Sequence, residues 1–574
     1  MFFGRNNSAI NDSKIALDSR IEVHDKSQFE VKFDYNLLNF EKKKPSKTSY
    51  SIEAYFFIPR SLGISSFNYS KNQFYNDLHA NIRFKTPEMS FNDVNDETNR
   101  YSPLRILRQT LSKLKNNPNE EMNIIAINEA KLFGCLISGF LKEGTKQIVK
   151  LINQATYYKN ISNSHNFIKI VQKEIKVFVE DTINILEKYR SIRNSYEENF
   201  SAKTVLTNLK LVDEFITYRF ENSLASIYME IENLSNLKSI DCKNIFDYIT
   251  NIANKESQYR VAQNFICFKN STSVNYEYYA YRFSAIKKHV FQVLYLDVNH
   301  IKNEKKYRNM VAIIGAAFAS LLYLPAQALL VVNSSASFTV LFLIIVAYIF
   351  KDRAKEISRE IILDKLLDKF HNYFPDNDLI IQDPTNIKDV KKDNKTFIGK
   401  CKEFMRFIQK DKVKKDIIKL RNLNHVVDID EERFEEVIYY RKDVKLHSKR
   451  ILNAHTRRNN IKDIIRFNIN EFLDKMDNAT GKIRFYDIEK NIFTSLKAPK
   501  VYHINIVFKY TIVNASEPSY QRIRVVLDKN GIVRIEEVIP RSKFSTGTGQ
   551  LIEEKFDEEI LSYDFESENE SINS

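Results

Sequence analysis

The longest uncharged stretch lies in the middle of the chain. Met310–Phe350, forty-one residues, carries no charged side chain. As one helix it would be about 62 Å long at ~1.5 Å per residue, twice the ~30 Å hydrocarbon core of a bilayer. The length predicts two transmembrane helices joined by a turn, at Asn333–Ser335 or, as the rival position, at Pro325–Gln327. The alternative is a buried helical hairpin in a large soluble core.

Basic residues flank this stretch on both sides. Lysine and arginine beside a membrane span stay cytoplasmic, so two basic flanks predict a hairpin with both chain termini in the cytoplasm. With the turn at 333–335, the second helix has only about 15 apolar residues, roughly 22 Å, and lysine snorkelling would have to cover the difference. The flanking residues are Lys302, Lys305, Lys306, Arg308, Lys351, Arg353 and Lys355.

Two small residues in the first predicted span suggest how the helices pack. Gly315 and Ala319 are four positions apart. This small-xxx-small spacing lets two helix backbones approach closely. We therefore expect both residues to lie at a helix–helix contact.

Alternating apolar and polar residues predict strands near the N-terminus. The pattern covers Arg20–Leu37, Ser49–Pro59 and Asn81–Lys85, as expected of half-buried strands. It predicts a β-rich domain at 20–100, after a flexible tail at 1–19. That tail has no apolar segment long enough for a secretory signal, so the N-terminal part is expected in the cytoplasm.

A second alternating region lies near the C-terminus. Lys500–Val513 and Tyr520–Ile539 alternate, and Asn530–Gly531 between apolar strands is a strong hairpin signal. We predict an α+β domain at 451–542. The segment 543–574 contains nine acidic residues and has the composition of a disordered tail.

Helical periodicity dominates the remaining segments. Residues 101–300 are predicted to form a cytoplasmic helical bundle with coiled-coil-like packing, including one long helix at Ser164–Phe200. Residues 351–450 are predicted to be basic cytoplasmic helices, and helical periodicity extends over 399–475. The predicted fold class is mainly α with α+β modules: a helical bundle, a transmembrane hairpin and a small C-terminal α+β domain.

Positive charge is concentrated after the apolar stretch. The net charge is +14, and Lys388–Arg421 holds thirteen basic and five acidic residues, while Arg441–Arg466 holds nine and two. Such segments attract anionic lipid headgroups, and also nucleic acid. The alternative explanation, with equal weight, is that these basic residues simply lie on solvent-exposed faces of helices.

No pattern predicts catalytic, cofactor-binding or metal-binding residues. Gly139–Lys146 has the GxxxxG spacing of a phosphate loop, but its Lys and Thr are transposed and it lies in a helical context. His447 and His455 are eight apart within a basic region, where solvated helix positions explain them. Cys135, in an apolar helical stretch, is expected to be an inert core thiol. The chain is thus not expected to be an enzyme, and no cofactor is expected.

These patterns favour a multi-pass membrane protein acting as a scaffold or sensor at the inner membrane face. The expected partners are the lipid bilayer, anionic headgroups and unidentified proteins, with self-association as a further option. Two alternatives remain: a pore-forming or membrane-disrupting effector gated by its cytoplasmic domains, and a membrane-anchored nucleic-acid binder. A pore needs polar residues along one face of a span, and this stretch offers few.

Overall fold

The fold is a pair of antiparallel sheets joined to a bundle of long helices, and we describe it from a computed structural model. The described residues are 19–37, 48–87, 89–116, 119–156, 161–199, 203–238, 242–267, 273–332, 338–361, 375–385, 397–422, 435–455, 457–458, 460–478, 480–512 and 518–538. The predicted acidic tail lies outside them.

The strands are distributed over the whole chain. In chain order they are β1 (Ser19–Asp25), β2 (Gln28–Asn36), β3 (Thr48–Pro59), β4 (Leu78–Phe84), β5 (Asp297–Lys302), β6 (Asn377–Gln382), β7 (Phe397–Ile408), β8 (Glu435–Leu446), β9 (Asn460–Asn468), β10 (Thr480–Asp487), β11 (Ile492–Pro499), β12 (Tyr502–Ile512), β13 (Ser519–Asp528) and β14 (Gly531–Val538).

The longest helices lie between β4 and β6. The α-helices are α1 (Lys71–Asp77), α2 (Phe91–Asn95), α3 (Pro103–Asn116), α4 (Glu120–Thr156), α5 (Ile161–Asn199), α6 (Lys203–Lys238), α7 (Lys243–Ala262), α8 (Ser273–Phe291), α9 (Glu304–Val332), α10 (Phe338–Ile361), α11 (Lys415–Arg421), α12 (Ser448–Ala454) and α13 (Asn470–Asp474). The predicted mixture of helices and strands is confirmed, with helix predominating.

Within the described residues, all strands pair antiparallel and form three sheets. The large sheet has the order β14-β13-β12-β3-β8-β7-β6-β5, the second sheet β1-β2-β9-β4, and β10 pairs with β11 alone. Aromatic contacts join the two larger sheets, with ring centroids 4.7 Å apart for Phe33 and Tyr510 and 4.8 Å for Tyr35 and Tyr50. The two sheets therefore share one apolar core, which continues into the bundle α3–α8.

The predicted separation of an N-terminal and a C-terminal β domain differs from this topology. β3 lies between β8 and β12, and β9 lies between β2 and β4. Strands of the segments 20–100 and 451–542 thus hydrogen-bond to each other. Pairing between strands more than 400 residues apart leaves no trace in local periodicity.

The predicted helical character of 399–475 is wrong at 399–408, 435–446 and 460–468, where β7, β8 and β9 lie. In β8, Ile438 and Tyr440 face the main core, while Val437 and Tyr439 pack in a second apolar cluster that includes Ile417 of α11. A strand buried on both faces loses its period of two, so periodicity cannot distinguish it from a helix.

The C-terminal hairpin is confirmed. β13 and β14 pair, with Asp528 opposite Gly531, so Lys529 and Asn530 form the turn. Gly531 has φ +137°, and a Cβ there would lie 2.3 Å from the carbonyl oxygen of Lys26. Glycine is required on both grounds.

One helix of the bundle has the length and composition of a membrane span. Among the described residues, the segment Glu120–Gln154 of α4 is long and apolar enough to cross a membrane, but 61% of its most apolar window is buried inside the protein. The core helix of a soluble domain has the same properties. By itself α4 is weak evidence for a membrane location.

Candidate membrane-inserting hairpin and its polar base

The helical pair α9–α10 interrupts a β-hairpin of the large sheet. β5 and β6 are neighbouring antiparallel strands, with Lys302 opposite Asn377. α9 begins two residues after β5 ends. The apolar stretch is therefore an insertion at the tip of an edge hairpin, and the sheet can form without it.

The two helices pack against each other. Val311, Gly315 and Ala319 are buried and follow one another every four residues. Small side chains at such positions let helix backbones approach closely. α9 is continuous through Pro325–Gln327, and the chain between the helices, 333–337, lies outside the described residues.

The other faces of both helices expose large apolar side chains. Phe318 and Leu321 of α9 are 54% and 65% exposed, and Phe338 and Phe350 of α10 are 89% and 73% exposed. The other large exposed apolar residues within the stretch are Met310, Ile313, Ile314, Leu324, Phe342, Ile345, Tyr348 and Ile349. So large an apolar surface marks a site of membrane or protein contact.

The basic flanks lie at different levels of the hairpin. The Lys351 ammonium lies 5.2 Å from the ring centroid of Tyr323 and 5.3 Å from that of Tyr348. Tyr323 is seventeen residues after Lys306, about 25 Å along α9 at ~1.5 Å per residue. Lys351 is therefore much closer to the turn than Lys306 is.

The remaining flanking residues surround the root of the hairpin or continue along α10. Lys302, Lys305, Lys306 and Lys355 are exposed. Arg353 is exposed and pairs with Glu356 at 3.2 Å. The side chain of Arg308 lies outside the described part of the chain.

A polar network fixes the root of the hairpin to the sheet. The buried amide of Asn303 donates to a carboxylate oxygen of Asp378 at 2.8 Å and to the carbonyl of Pro375 at 3.3 Å. The Asp376 carboxylate accepts hydrogen bonds from the Tyr75 hydroxyl at 3.0 Å and the backbone N–H of Met405 at 2.7 Å.

Tyrosines beside this network stay protonated. Burial, with the charges of Asp378 and Asp376, raises the pKa of Tyr307 to about 12. Burial and the same Asp376 charge raise the pKa of Tyr75 well above its usual value. Periodicity gave no signal for this network, because its members come from α1, β7 and both sides of the insertion.

No family model, characterised protein or solved structure matches this chain.

Much of the predicted basic surface is neutralised within the fold. Arg421 and Glu435 form a buried ion pair at 2.6 Å, and Lys442 and Asp463 form another at 2.6 Å. Arg457, Lys462 and Arg466 pair with Glu129, Asp34 and Glu30 respectively. The exposed lysines and arginines of these two segments include Lys400, Lys402, Lys412, Lys415, Lys419, Lys445, Lys449 and Arg450.

The described residues contain no metal site and no phosphate loop, and Cys135 is part of the core. No group of three His, Cys, Asp or Glu side chains there could hold a metal ion. Gly139 and Gly144 lie inside α4, which excludes a phosphate loop at that position. Cys135 is buried as expected, and burial raises the pKa of its thiol to about 12.

His455 is not a solvated helix position, which corrects the sequence interpretation. It follows the short helix α12, is 7% exposed, and its Nε2 contacts the Asp383 carboxylate. Asp383 also accepts hydrogen bonds from the backbone N–H and hydroxyl of Thr385, at 2.9 and 2.7 Å. Burial outweighs the carboxylate and lowers the pKa of His455, so its imidazole is neutral at pH 7.

This pair predicts a loss of stability in mild acid. Because the folded pKa of His455 lies below the unfolded value of 6.5, folding is favoured above pH 6.5 and loses stability as pH falls below it. We expect thermal unfolding of the wild type between pH 7.5 and 5.5 to shift to lower temperature. His455→Gln should flatten part of that dependence, whereas the exposed control His300→Gln should not. An unchanged pH dependence in His455→Gln would contradict this assignment.

Proposed function

We propose that this chain is an integral membrane protein held by α9–α10, with its sheets and helical bundle on one side of the bilayer. In this proposal the hairpin crosses the membrane twice, both termini are cytoplasmic, and the folded body acts as a scaffold or sensor for protein partners. The observation that carries the proposal is the apolar surface that α9 and α10 present outside their mutual contact.

The size of that surface favours a lipid environment over water. Transfer of one large apolar side chain from water is worth about 1.5–3 kcal/mol. Twelve such side chains, most of them more than half exposed, correspond to a free-energy difference on the order of 10 kcal/mol. This is comparable to the whole folding stability of a typical domain, about 5–15 kcal/mol.

The position of Lys351 sets the depth of α10. Phe338–Phe350 is thirteen residues, about 20 Å of helix, which is shorter than the ~30 Å core. Tyrosines and lysines concentrate at the membrane interface. Snorkelling by Lys351, which lies beside the Tyr348 ring, with the bilayer thinned beside α10, suits this short span.

The scaffold proposal is preferred over a pore or a nucleic-acid binder. The exposed side chains described on both helices between Met310 and Phe350 are overwhelmingly apolar, as lipid-facing surfaces are and pore-lining ones are not. The ion pairs of Arg421, Lys442 and Arg466 remove several cations from the surface that nucleic acid would need.

Cysteine labelling in intact cells tests the topology. In a variant whose four cysteines are replaced, Ser334→Cys should react with a membrane-impermeant maleimide, because 333–337 joins the two spans. Lys445→Cys, at an exposed position near the end of β8, should react only after permeabilisation. Reaction of Lys445→Cys in intact cells would show the opposite orientation. Protection of Ser334→Cys until permeabilisation would exclude two crossings.

A further inference from the structure

The ribbon β10–β11 stands apart from the two large sheets. Its strands pair in register from Thr480 opposite Pro499 to Asp487 opposite Ile492, and neither strand belongs to another sheet. An isolated two-stranded ribbon is marginally stable in water. Most of its side chains are nevertheless exposed, so within the described part of the chain no element packs on the ribbon to stabilise it.

The register divides the ribbon into two chemically distinct faces. Residues directly opposite each other point to the same face, and successive residues alternate. One face is largely apolar and carries Ile483, Phe485, Ile492 and Leu496, all exposed. The other is basic and aromatic and carries Lys482, Arg484, Tyr486, Phe493 and Lys497.

The exposed apolar surface extends to the tip. Phe493 is 85% exposed and lies against Tyr486, with ring centroids 5.1 Å apart. Ile488, in the turn, is 81% exposed. Aromatic and aliphatic side chains at the end of a projecting ribbon suit insertion into an apolar or interfacial medium.

The basic face carries a charge arrangement that an anion would stabilise. Lys482 and Lys497 are direct cross-strand partners, and Arg484 follows two residues after Lys482. Like charges directly opposite each other destabilise a β-ribbon. The expected ligand is therefore anionic and must lie beside an apolar phase, which describes the headgroup region of an acidic bilayer.

The topology directs the ribbon and the helical hairpin to the same end of the large sheet. From β12 to β6 the order is β12-β3-β8-β7-β6, and every neighbouring pair is antiparallel. β12 and β6 therefore run in the same direction. The ribbon immediately precedes β12, and the helical insertion precedes β6. Four strand spacings of ~4.8 Å, about 19 Å, separate β12 from β6 across the sheet. The pairing registers place Asn377 of β6 level with Tyr510 of β12, so β12 begins eight residues further toward the side to which the helical insertion projects, about 26 Å at ~3.3 Å per residue.

Exposed lysines lie at this end as well. β7 runs opposite to β6 and therefore finishes there, and Lys412, Lys415 and Lys419 follow it, all exposed. Positive charge is thus present between the two projecting elements. An anionic surface reached by the hairpin would face all three features.

We propose that the β10–β11 ribbon is a second lipid contact, with its tip inserted among the headgroups of an anionic bilayer and its lysines against lipid phosphates. This inference rests on the proposed membrane anchoring by α9–α10 but concerns residues that the anchor does not include. The occupant is an anionic phospholipid surface. A second copy of the ribbon or a nucleic acid would each give a different result in the test below.

The absence of tryptophan from the chain allows a sharp test. Full-length variants with single tryptophans, Phe493→Trp at the ribbon tip and Phe342→Trp in α10, are reconstituted in phosphatidylcholine vesicles with and without phosphatidylserine. Tyr281→Trp is the control, since Tyr281 is 73% exposed on α8. The chain runs from α8 to the start of β5, whereas the insertion follows the opposite end of that strand. Fluorescence is measured with lipids brominated on their acyl chains.

We expect Trp fluorescence of the Phe493→Trp variant to shift to shorter wavelength, with quenching several-fold above that of the Tyr281→Trp control. The quenching should be stronger with phosphatidylserine. Adding Lys482→Glu and Lys497→Glu should abolish it without altering quenching in the Phe342→Trp variant. Ile488→Trp gives a second tip reporter in case the Phe493 substitution disturbs the ribbon.

The outcomes separate this inference from the proposed function. Quenching at 342 without quenching at either 493 or 488 overturns the ribbon contact and leaves the anchor intact. Quenching at 493 without quenching at 342 supports the ribbon contact and removes the anchor. A concentration-dependent shift of the Trp fluorescence at 493, without lipid quenching, would show that the ribbon self-associates. Loss of lipid quenching on addition of nucleic acid at physiological salt would show that the ribbon binds nucleic acid. Both overturn the inference.

Discussion

Replacing Glu304–Phe374 with a short glycine–serine linker is expected to move the protein from the carbonate-resistant membrane fraction to a soluble or salt-extractable one. The insertion begins and ends at paired strands, where Asn303 N–H donates to the carbonyl of Asp376 at 3.1 Å. A short linker can close this gap without disturbing the register of β5 and β6. The body should therefore remain folded while the apolar surface of α9 and α10 is lost.

The control for this deletion keeps both helices and removes only hydrogen bonds that hold the root of the hairpin to the sheet. Asn303→Ala breaks the hydrogen bonds to Asp378 and Pro375 but leaves both helices in place, so this variant should still resist carbonate. Circular dichroism of the deletion variant should show an intact β signal and a loss of helix. Carbonate-resistant attachment of the deletion variant would place the anchor elsewhere, with α4 as the first candidate because of its length and composition.

Binding of the deletion variant to anionic vesicles also tests the proposed lipid contact of the ribbon. If β10–β11 contacts anionic headgroups, the variant should still bind phosphatidylserine vesicles weakly at low salt and dissociate as salt rises. The Debye length falls from ~10 Å at 0.1 M to ~3 Å at 1 M. Lys482→Glu with Lys497→Glu should remove this binding.

Sequence periodicity predicts an element correctly where one face of the element is apolar and the other polar, or where the whole element is apolar. The uncharged stretch predicts two helices, and α9 and α10 occupy it. The apolar stripe of 164–200 predicts α5, and alternation with Asn530–Gly531 predicts β13 and β14. In each case the amphipathic or uniformly apolar pattern reports burial directly.

Local patterns failed where the environment comes from distant parts of the chain. β3 is covered by β8 and β12 as sheet neighbours, and β8 is buried on both faces. The positive charge of 441–466 predicts a basic surface that includes Lys442, but Lys442 is buried and pairs with Asp463 of the facing sheet. The position of Lys351 along the helical hairpin likewise depends on how α10 packs against α9. The sequence of one helix does not determine that packing. The ribbon β10–β11 shows mixed alternation in sequence, and only its pairing reveals two faces.

Asp463→Ala is expected to have the largest effect of any single substitution on the stability of the body. The Lys442 ammonium and the Asp463 carboxylate lie 2.6 Å apart and are each 1% exposed. The Tyr50 hydroxyl donates to the other oxygen of Asp463 at 2.9 Å. Removing the carboxylate leaves a buried, uncompensated ammonium between the two sheets, which typically costs about 3–5 kcal/mol.

Two variants separate loss of charge pairing from loss of packing. Asp443→Ala, next to Lys442 on β8, removes a half-buried pair with Arg441 at 2.9 Å and should cost only ~0–1 kcal/mol. Combining Asp463→Ala with Lys442→Met removes both charges and should recover much of the loss, because apolar replacements of buried pairs are often nearly neutral. The measurement is thermal unfolding of all variants in one detergent. Equal destabilisation by Asp443→Ala and Asp463→Ala would show that burial of the pair is not what determines its contribution.

The pH dependence of this pair has a defined sign. Burial opposes a charge on Lys442, but the field of Asp463, reinforced by Cys401 and Glu403, outweighs it and raises the pKa of Lys442 above 10.5. A raised lysine pKa stabilises the fold at every pH below 10.5, and the contribution is lost as pH rises through the folded value. The wild type should therefore lose stability in strong alkali more steeply than the Asp463→Ala, Lys442→Met double variant. Parallel alkaline profiles for the two proteins would show that Lys442 is not charged in the folded state.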